Sequence, residues 1–303
     1  MIPLKLGTRA SPLALAQTNQ VIAALAHIGI PAQAKVFSTR GDMDLSQPLY
    51  MLGDKGLFTA ELEAALRSGE IDAAVHSAKD MSALDDPDLP LVAALARTTR
   101  ADILISHHAD GLAGLPNQAR VGTSSLRRAA QLKACRSDLV PASVRGNVQT
   151  RLKKWQVGEV DALILAAAGL ERLGLLQDLP STQLDWDTAP AQGIIAIQGA
   201  SQRVPESAPW NQINDYRSFT QLQIERALVR GLGAHCRLPV SCFVEGETVR
   251  LSAWLADGRE KTIRSQLKSI DLNSDADLKK VCYDAESLGQ ELRKQLPPEF
   301  WSS

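Results

Sequence analysis

The chain reads as an α/β protein of two similar lobes with mainly parallel sheets, followed by a small α+β domain. Over the first two-thirds, short β-like runs alternate with helical patterns, the order expected of α/β units. Two motifs also recur in the same order. Gly7-Thr8-Arg9-Ala10-Ser11 is echoed by Gly122-Thr123-Ser124-Ser125, and Gly69-Glu70-Ile71-Asp72-Ala73-Ala74-Val75 by Gly158-Glu159-Val160-Asp161-Ala162-Leu163-Ile164. Two lobes that each aim helix N-termini at a shared cleft make a clamshell ligand site.

The elements follow in order. Leu4-Lys5-Leu6 is a strand, and Ser11 with Pro12 is an N-cap and first helical residue for a helix from Pro12 to about Ala26. Ala34 to Phe37 reads as a strand. Leu57 to Arg67 has helical spacing, stopped by Ser68-Gly69. Ile71 to Val75 is a short buried strand ending at His76-Ser77-Ala78-Lys79-Asp80. Both Gly-Thr turns precede a helix with a glutamine near its second turn, Gln17 and Gln131. Arg97 to Arg100 is expected to cross between lobes and Ala189 to Gly193 to return, so that Ile194 to Ile197 rejoins the first lobe. Pro205 to Asp215 reads as a polar linker before a helix from Ser218 to about Arg230. Strands at Val240 to Glu245 and Thr248 to Leu255, then a helix from roughly Asp275 to Leu296, complete the α+β part. The expected division is residues 1–97 with 194–214, residues 98–193, and residues 215–303.

With 33 Lys+Arg against 34 Asp+Glu in 303 residues, the chain is nearly neutral, which argues against a general nucleic-acid or membrane binder. Met1 to Leu6 lacks a signal-peptide pattern, and the apolar run Leu13 to Ala26 is broken by Gln17, Thr18, Asn19 and Gln20. Cys135, Cys236, Cys242 and Cys282 form no Cys-x-x-Cys pair, the usage of reduced thiols in a cytoplasmic protein. The five histidines show no metal-ligand spacing, so no metal is expected.

The positive charge is nevertheless concentrated. Arg120 to Lys154 holds nine Lys or Arg and one acid, Asp138. Arg127, Arg128, Arg145 and Arg151, with Arg9 from the first lobe, lie at or near turns and helix starts, where free backbone N–H groups also bind anions. Guanidinium forks grip carboxylates bidentately. A solvated basic face is the plainer alternative. A nucleic-acid groove would want a stacking series, and the patch has one aromatic neighbour, Trp155. Lys79-Asp80 follows a strand end that faces the cleft, where a carboxylate can steady a developing cation and move protons; a turn-forming Asp beside a surface Lys is the alternative. Cys236 stands between His235 and Arg237 on a loop, and cationic neighbours favour a nucleophilic thiolate, although a lone loop cysteine is commonly inert. On these residues alone, a non-catalytic two-lobed binder of a polyanion stays open beside an enzyme.

Taken together, Thr8 to Ala14, Thr39-Arg40-Gly41-Asp42, Lys55-Gly56-Leu57-Phe58, His76 to Asp80, Gly122 to Arg128, Arg145-Gly146-Asn147, Ala167 to Gly174, Gln192-Gly193, and Glu225-Arg226-Ala227 leading to Cys236 resemble the hydroxymethylbilane synthase (porphobilinogen deaminase) family through nearly the whole chain. The resemblance implies two type-2 periplasmic-binding-protein-like lobes with helices on both sheet faces. It implies a monomeric cytoplasmic transferase of porphyrin biosynthesis that joins four porphobilinogen molecules head to tail, releases ammonia, and frees the linear tetrapyrrole with water. A dipyrromethane cofactor would be attached covalently at Cys236, and Asp80 would be catalytic. Cofactor contacts would come from Lys55, Ser77, Lys79, Asp80, Thr123, Ser125, Arg127, Arg128, Arg145 and Gly146. Substrate contacts would come from Arg9, Ser11, Gln17, Arg145, Arg151, Arg172 and Gln192. The chain departs from the family pattern at Ala234-His235 before the cysteine, at Leu238, at Met51, where many bacterial relatives have lysine, and at Met81-Ser82, where Val-Pro is usual.

Overall fold

A computed structural model describes residues 2–39, 59–203, 209–233, 238–246, 248–266 and 278–302. The first lobe and the approach to the second contain β1 (Leu4–Arg9), α1 (Pro12–His27), β2 (Ala32–Phe37), α2 (Ala60–Ser68), β3 (Ala73–Ser77) and β4 (Leu91–Ala94). Next come β5 (Asp102–Ile105), β6 (Arg120–Gly122), α3 (Leu126–Cys135), β7 (Val140–Ala142), α4 (Val148–Gln156), β8 (Ala162–Ala166), α5 (Ala167–Arg172) and β9 (Ser181–Leu184). β10 (Ile195–Gln198), α6 (Trp210–Ile213), α7 (Tyr216–Leu232), β11 (Val240–Glu245), β12 (Thr248–Trp254), β13 (Glu260–Gln266) and α8 (Leu278–Gln295) complete the described elements.

Two five-stranded sheets share one plan. Their orders are β2-β1-β3-β10-β4 and β7-β6-β8-β5-β9. The first three strands of each are parallel, and the fourth, a crossing strand, runs antiparallel to its neighbours. The sequence repeat maps onto equivalent places. Asp72 accepts from the Lys5 N–H at 2.7 Å, and Asp161 accepts from the Arg120 N–H at 2.6 Å. The same carboxylate thus ties β1 to β3 and β6 to β8. Gly7 and Gly122 lie where neighbouring side chains leave no room for another carbon. A Cβ on Gly7 would sit 2.4 Å from Ile71 Cδ1, and one on Gly122 would sit 2.9 Å from Val144 and 3.1 Å from Val160, the repeat counterpart of Ile71.

Side-chain caps set the helix starts. Ser11 accepts from the Ala14 N–H at 3.2 Å, Ser125 from Arg128 at 3.4 Å, Asn147 from Thr150 at 2.9 Å and Asp215 from Ser218 at 2.8 Å. Each such cap is worth about 1 kcal/mol. Leu6, Val21, Leu25, Val75, Ile195 and Ile197 form the core between the first sheet and its helices. Leu104, Val121, Leu132, Leu139 and Ile164 do the same on one face of the second sheet. The antiparallel β11-β12-β13 sheet packs with α7 and α8 into the small α+β unit, around Leu228, Leu251, Ala285 and Phe300.

Three details differ from the sequence reading. The strand expected at Ile71–Val75 runs over Ala73–Ser77, because Ile71 and Asp72 are used in the turn that returns to β1. The described part of the expected Pro205–Asp215 linker contains α6, which buries Trp210 in the first-lobe core, while Asn214 accepts from the Ala94 N–H at 2.8 Å. β13, an edge strand rich in charged and polar residues, lacks the apolar alternation that reveals a strand in sequence.

Candidate active site

The cleft begins at the C-terminal ends of β1 and β3. β1 delivers Arg9, α1 begins at the Ser11 cap, and β3 ends at Ser77 before a 3₁₀ turn over Ala78–Asp80. Gln17 reaches down from α1 and donates to Ser77 Oγ at 2.7 Å. Arg9, Ser11, Gln17, Ser77 and Asp80 line one pocket that is partly open to solvent. His76 also lines it, mostly buried, and meets Gln198 Oε1 at 3.2 Å. Burial, aided by the charges of Arg9 and Arg226, pushes this imidazole down to about 4 against the Gln198 bond, so it is neutral at ordinary pH.

The opposing wall comes from the second lobe. Arg127 and Arg128 open α3 and are both buried around Asp102, the first residue of β5. Arg127 Nη2 and Trp186 Nε1 donate to one Asp102 oxygen at 2.8 and 3.0 Å; Arg128 Nη2 and Gln192 Nε2 donate to the other at 2.7 and 2.9 Å. Burial alone would raise this carboxyl, but the two guanidiniums more than offset it and hold Asp102 well below the usual carboxylate range. Each arginine also donates to a carbonyl, Arg127 to Asp187 at 2.6 Å and Arg128 to Ile164 at 3.0 Å. Their Nε atoms are buried with no hydrogen-bond partner among the described residues.

Positive charge is in excess here. Arg151 donates from Nε to the Gly146 carbonyl at 2.8 Å. Its guanidinium is pushed down to about 10 by burial, then by Arg128 and Arg145, while Asp80 pulls it up. Lys79 is pushed down to about 8, first by burial, with Asp80 and Asp102 raising it and Arg128 and Arg127 lowering it. Asp80 therefore lies within electrostatic reach of cations from both lobes. A cleft with this surplus, and with spare buried guanidinium N–H groups, fits a ligand bearing several carboxylates.

The lobes meet along the crossings. Gln192 is fully buried; it donates to the Arg100 carbonyl at 2.6 Å and accepts from Lys79 at 3.4 Å. Arg172 donates to the Gly193 carbonyl at 2.7 Å. Glu225 on α7 is fully buried and pairs with Arg97 at 2.9 Å and Arg100 at 3.0 Å, and it accepts from the Ala191 N–H. One carboxylate thus grips both crossings.

Arg9, Ser11, Gln17, Ser77 and Asp80 thus come together in one pocket, with Lys79 beside them. Arg127, Arg128, Thr123, Ser125, Arg145, Gly146 and Arg151 lie on the second-lobe side, where Ser125 caps α3 and Thr123 Oγ accepts from the Ser125 N–H at 3.2 Å. Gln192 and Arg172 donate to carbonyls of the crossings, and Gln192 also accepts from Lys79. Cys236, His235, Lys55 and Met51 lie outside the described residues. Sequence reasoning missed Asp102 and Glu225. Each had a signal. Asp102 is an acid directly before the buried run Ile103-Leu104-Ile105, and Glu225 shares its helix face with Leu222, Leu228, Val229 and Leu232. A buried acid on such a face calls for a cationic partner.

Residues 4–205 match the family model for the porphobilinogen deaminase dipyrromethane cofactor binding domain. The porphobilinogen deaminase of Roseiflexus castenholzii is 43% identical over 268 residues, covering 84% of this chain and 87% of that protein. That of Xanthomonas oryzae pv. oryzae is 41% identical over 304 residues, covering 98% of this chain and 96% of that protein. The structure is also similar to a nutrient-binding protein of Burkholderia cenocepacia, with a TM-score of 0.42 and 14% identity over 75% of this chain and 94% of that one. On its sequence relatives and the family match, the chain belongs to the porphobilinogen deaminase family.

Proposed function

We propose that this protein carries out the hydroxymethylbilane synthase reaction, with Asp80 as its catalytic carboxylate and Cys236 as its covalent tether. Four porphobilinogen molecules are condensed head to tail with loss of ammonia, and water releases the linear tetrapyrrole. When bound, the dipyrromethane cofactor supplies the primer to which the first unit is joined. The single observation that carries the reading is the position of Asp80. It lines the pocket of Arg9, Ser11, Gln17 and Ser77 and lies within electrostatic reach of Lys79 and Arg151.

Each pyrrole unit bears an acetate and a propionate, so the ligand's negative charge grows as the chain lengthens. Arg127, Arg128 and Arg145, with Ser77, Thr123, Ser125, Gly146, Lys55 and Lys79, hold the bound chain. Arg9, Ser11, Gln17, Arg145, Arg151, Arg172 and Gln192 receive the incoming unit. Breaking its C–N bond sends the bonding pair out with ammonia and leaves a pyrrole-stabilised cation beside Asp80. The carboxylate steadies that charge and takes the proton released when the new carbon–carbon bond forms.

The chain would work as a cytoplasmic monomer, with residues 1–97 and 194–214, 98–193 and 215–303 as its three domains. Among the described residues, no helix is long and apolar enough to cross a membrane. The test is turnover of porphobilinogen, followed by ammonia release. Asp80→Ala should lower it by about a hundredfold or more with an unchanged circular-dichroism spectrum. Near-normal turnover in that variant would remove Asp80 from the chemistry.

A further inference from the structure

Trp186 and Asp187 stand between β9 and the return crossing, and they hold the arginine pair from behind. Trp186 Nε1 donates to Asp102 at 3.0 Å. The Asp187 carbonyl accepts from Arg127 Nη1 at 2.6 Å and from Gln131 Nε2 at 2.9 Å. The Asp187 carboxylate has different partners. It accepts from Arg250 Nη2 at 3.0 Å and from Ser252 Oγ at 3.1 Å, both on β12 of the α+β unit. One residue therefore grips a cleft arginine with its backbone and the α+β unit with its side chain.

The grip is well shielded. The Asp187 side chain is 16% exposed and that of Arg250 32%, while Ser252 is fully buried and shares a 2.7 Å hydrogen bond with Thr262. β12 packs on α3, the helix that carries Arg127 and Arg128. Ser252 stands opposite Ser241 of β11, and β11 begins shortly after Cys236 in the sequence. Contacts at Asp187 thus reach β12 and, through its pairing, β11, the strand that follows Cys236 in the sequence.

We propose that Asp187 is a positioning residue that keeps the α+β unit, and with it the approach to Cys236, in register with the arginine pair. The inference rests on the reading of Cys236 as the tether. A group fixed at the thiol has to bring its carboxylates to Arg127 and Arg128, and a displacement of about an ångström at such a site is enough to slow the process severely. Loss of the Asp187–Arg250 pair loosens that register while leaving the Asp187 carbonyl, and hence the Arg127 bond, in place.

The experiment uses full-length protein made without porphobilinogen and then supplied with it. Intact-protein mass spectrometry follows the gain of two pyrrole units with time. Asp187→Ala and Arg250→Met should each load about fivefold more slowly, and the double variant should load no more slowly than the slower single. Asp187→Asn, which keeps an acceptor for Ser252, should fall between wild type and Asp187→Ala. The non-additivity shows that the two residues act through one contact, and slow loading at an unchanged melting midpoint shows that the contact positions rather than merely stabilises. Loading at the wild-type rate in both single variants, or losses that multiply in the double, would overturn the proposal. Should Asp187→Ala not fold, Asp187→Asn and Arg250→Met decide in the same way. If wild-type protein gains no such mass, the tether reading itself falls; if wild type loads and the variants match it, only the positioning role falls.

Discussion

Replacing Asp102 by asparagine tests the charge arrangement of the second lobe. The wild-type carboxylate is fully buried and receives four donors, two of them guanidiniums at 2.8 and 2.7 Å. Asparagine keeps the size but removes the negative charge and turns an NH₂ group toward a donor. Removing one partner of a buried ion pair costs about 3–5 kcal/mol. The lower end applies here, since Arg127, Arg128 and Gln192 each keep a carbonyl partner. At about 1.6 °C per kcal/mol for a chain of 303 residues, a loss of about 3 kcal/mol lowers the melting midpoint by about 5 °C. The pH dependence has a definite sign. Because the folded pKa is depressed, the stabilisation is complete above the unfolded carboxylate value of about 4 and is lost as pH falls below it. Thermal unfolding at neutral pH, followed by circular dichroism, reads the effect. An Asp102→Asn protein that melts within about 2 °C of wild type would refute the argument that this carboxylate compensates the arginine pair.

Two other outcomes follow from the geometry. Lys79 is held down to about 8, so its ammonium is lost as pH rises through that value; initial loading by porphobilinogen should weaken above about 8, and Lys79→Gln should remove that limb of the pH profile. A profile unchanged by Lys79→Gln would assign the limb to another group. Gly7→Ala drives a Cβ to 2.4 Å from Ile71 Cδ1 and should destabilise by about 1–3 kcal/mol, with partial rescue by Ile71→Val in urea titrations. Full additivity of the two changes would show that Ile71 is not the obstacle.

What was legible in the sequence was local. The Ser11 cap, the recurring Gly-Thr turns and the Gly-Glu-x-Asp motif each act within one turn or between adjacent strands, so their spacing carries their meaning. Asp80 could be placed because strand ends in α/β sheets face the cleft. Asp102 and Glu225 could not be paired in advance, because their partners are brought to them by the two chain crossings. The sequence marks Arg127 and Arg128 as ligand-binding groups, while their shared commitment to Asp102 depends on β5 joining the second sheet antiparallel beside β8. Trp210 and β13 were missed for a similar reason: the first fills a core made by distant strands, and the second is defined by its partner rather than by its own pattern.

The central claim is a cleft with cations on both walls, in which Asp80 faces a polycarboxylate tethered at one thiol. Its most direct measurement is the intact mass of protein purified from cells with a normal porphobilinogen supply. Wild type should exceed its sequence mass by two linked pyrrole units, and Cys236→Ser should not. A wild-type chain at its bare sequence mass, or a Cys236→Ser chain that still carries the covalent increment, would contradict the account.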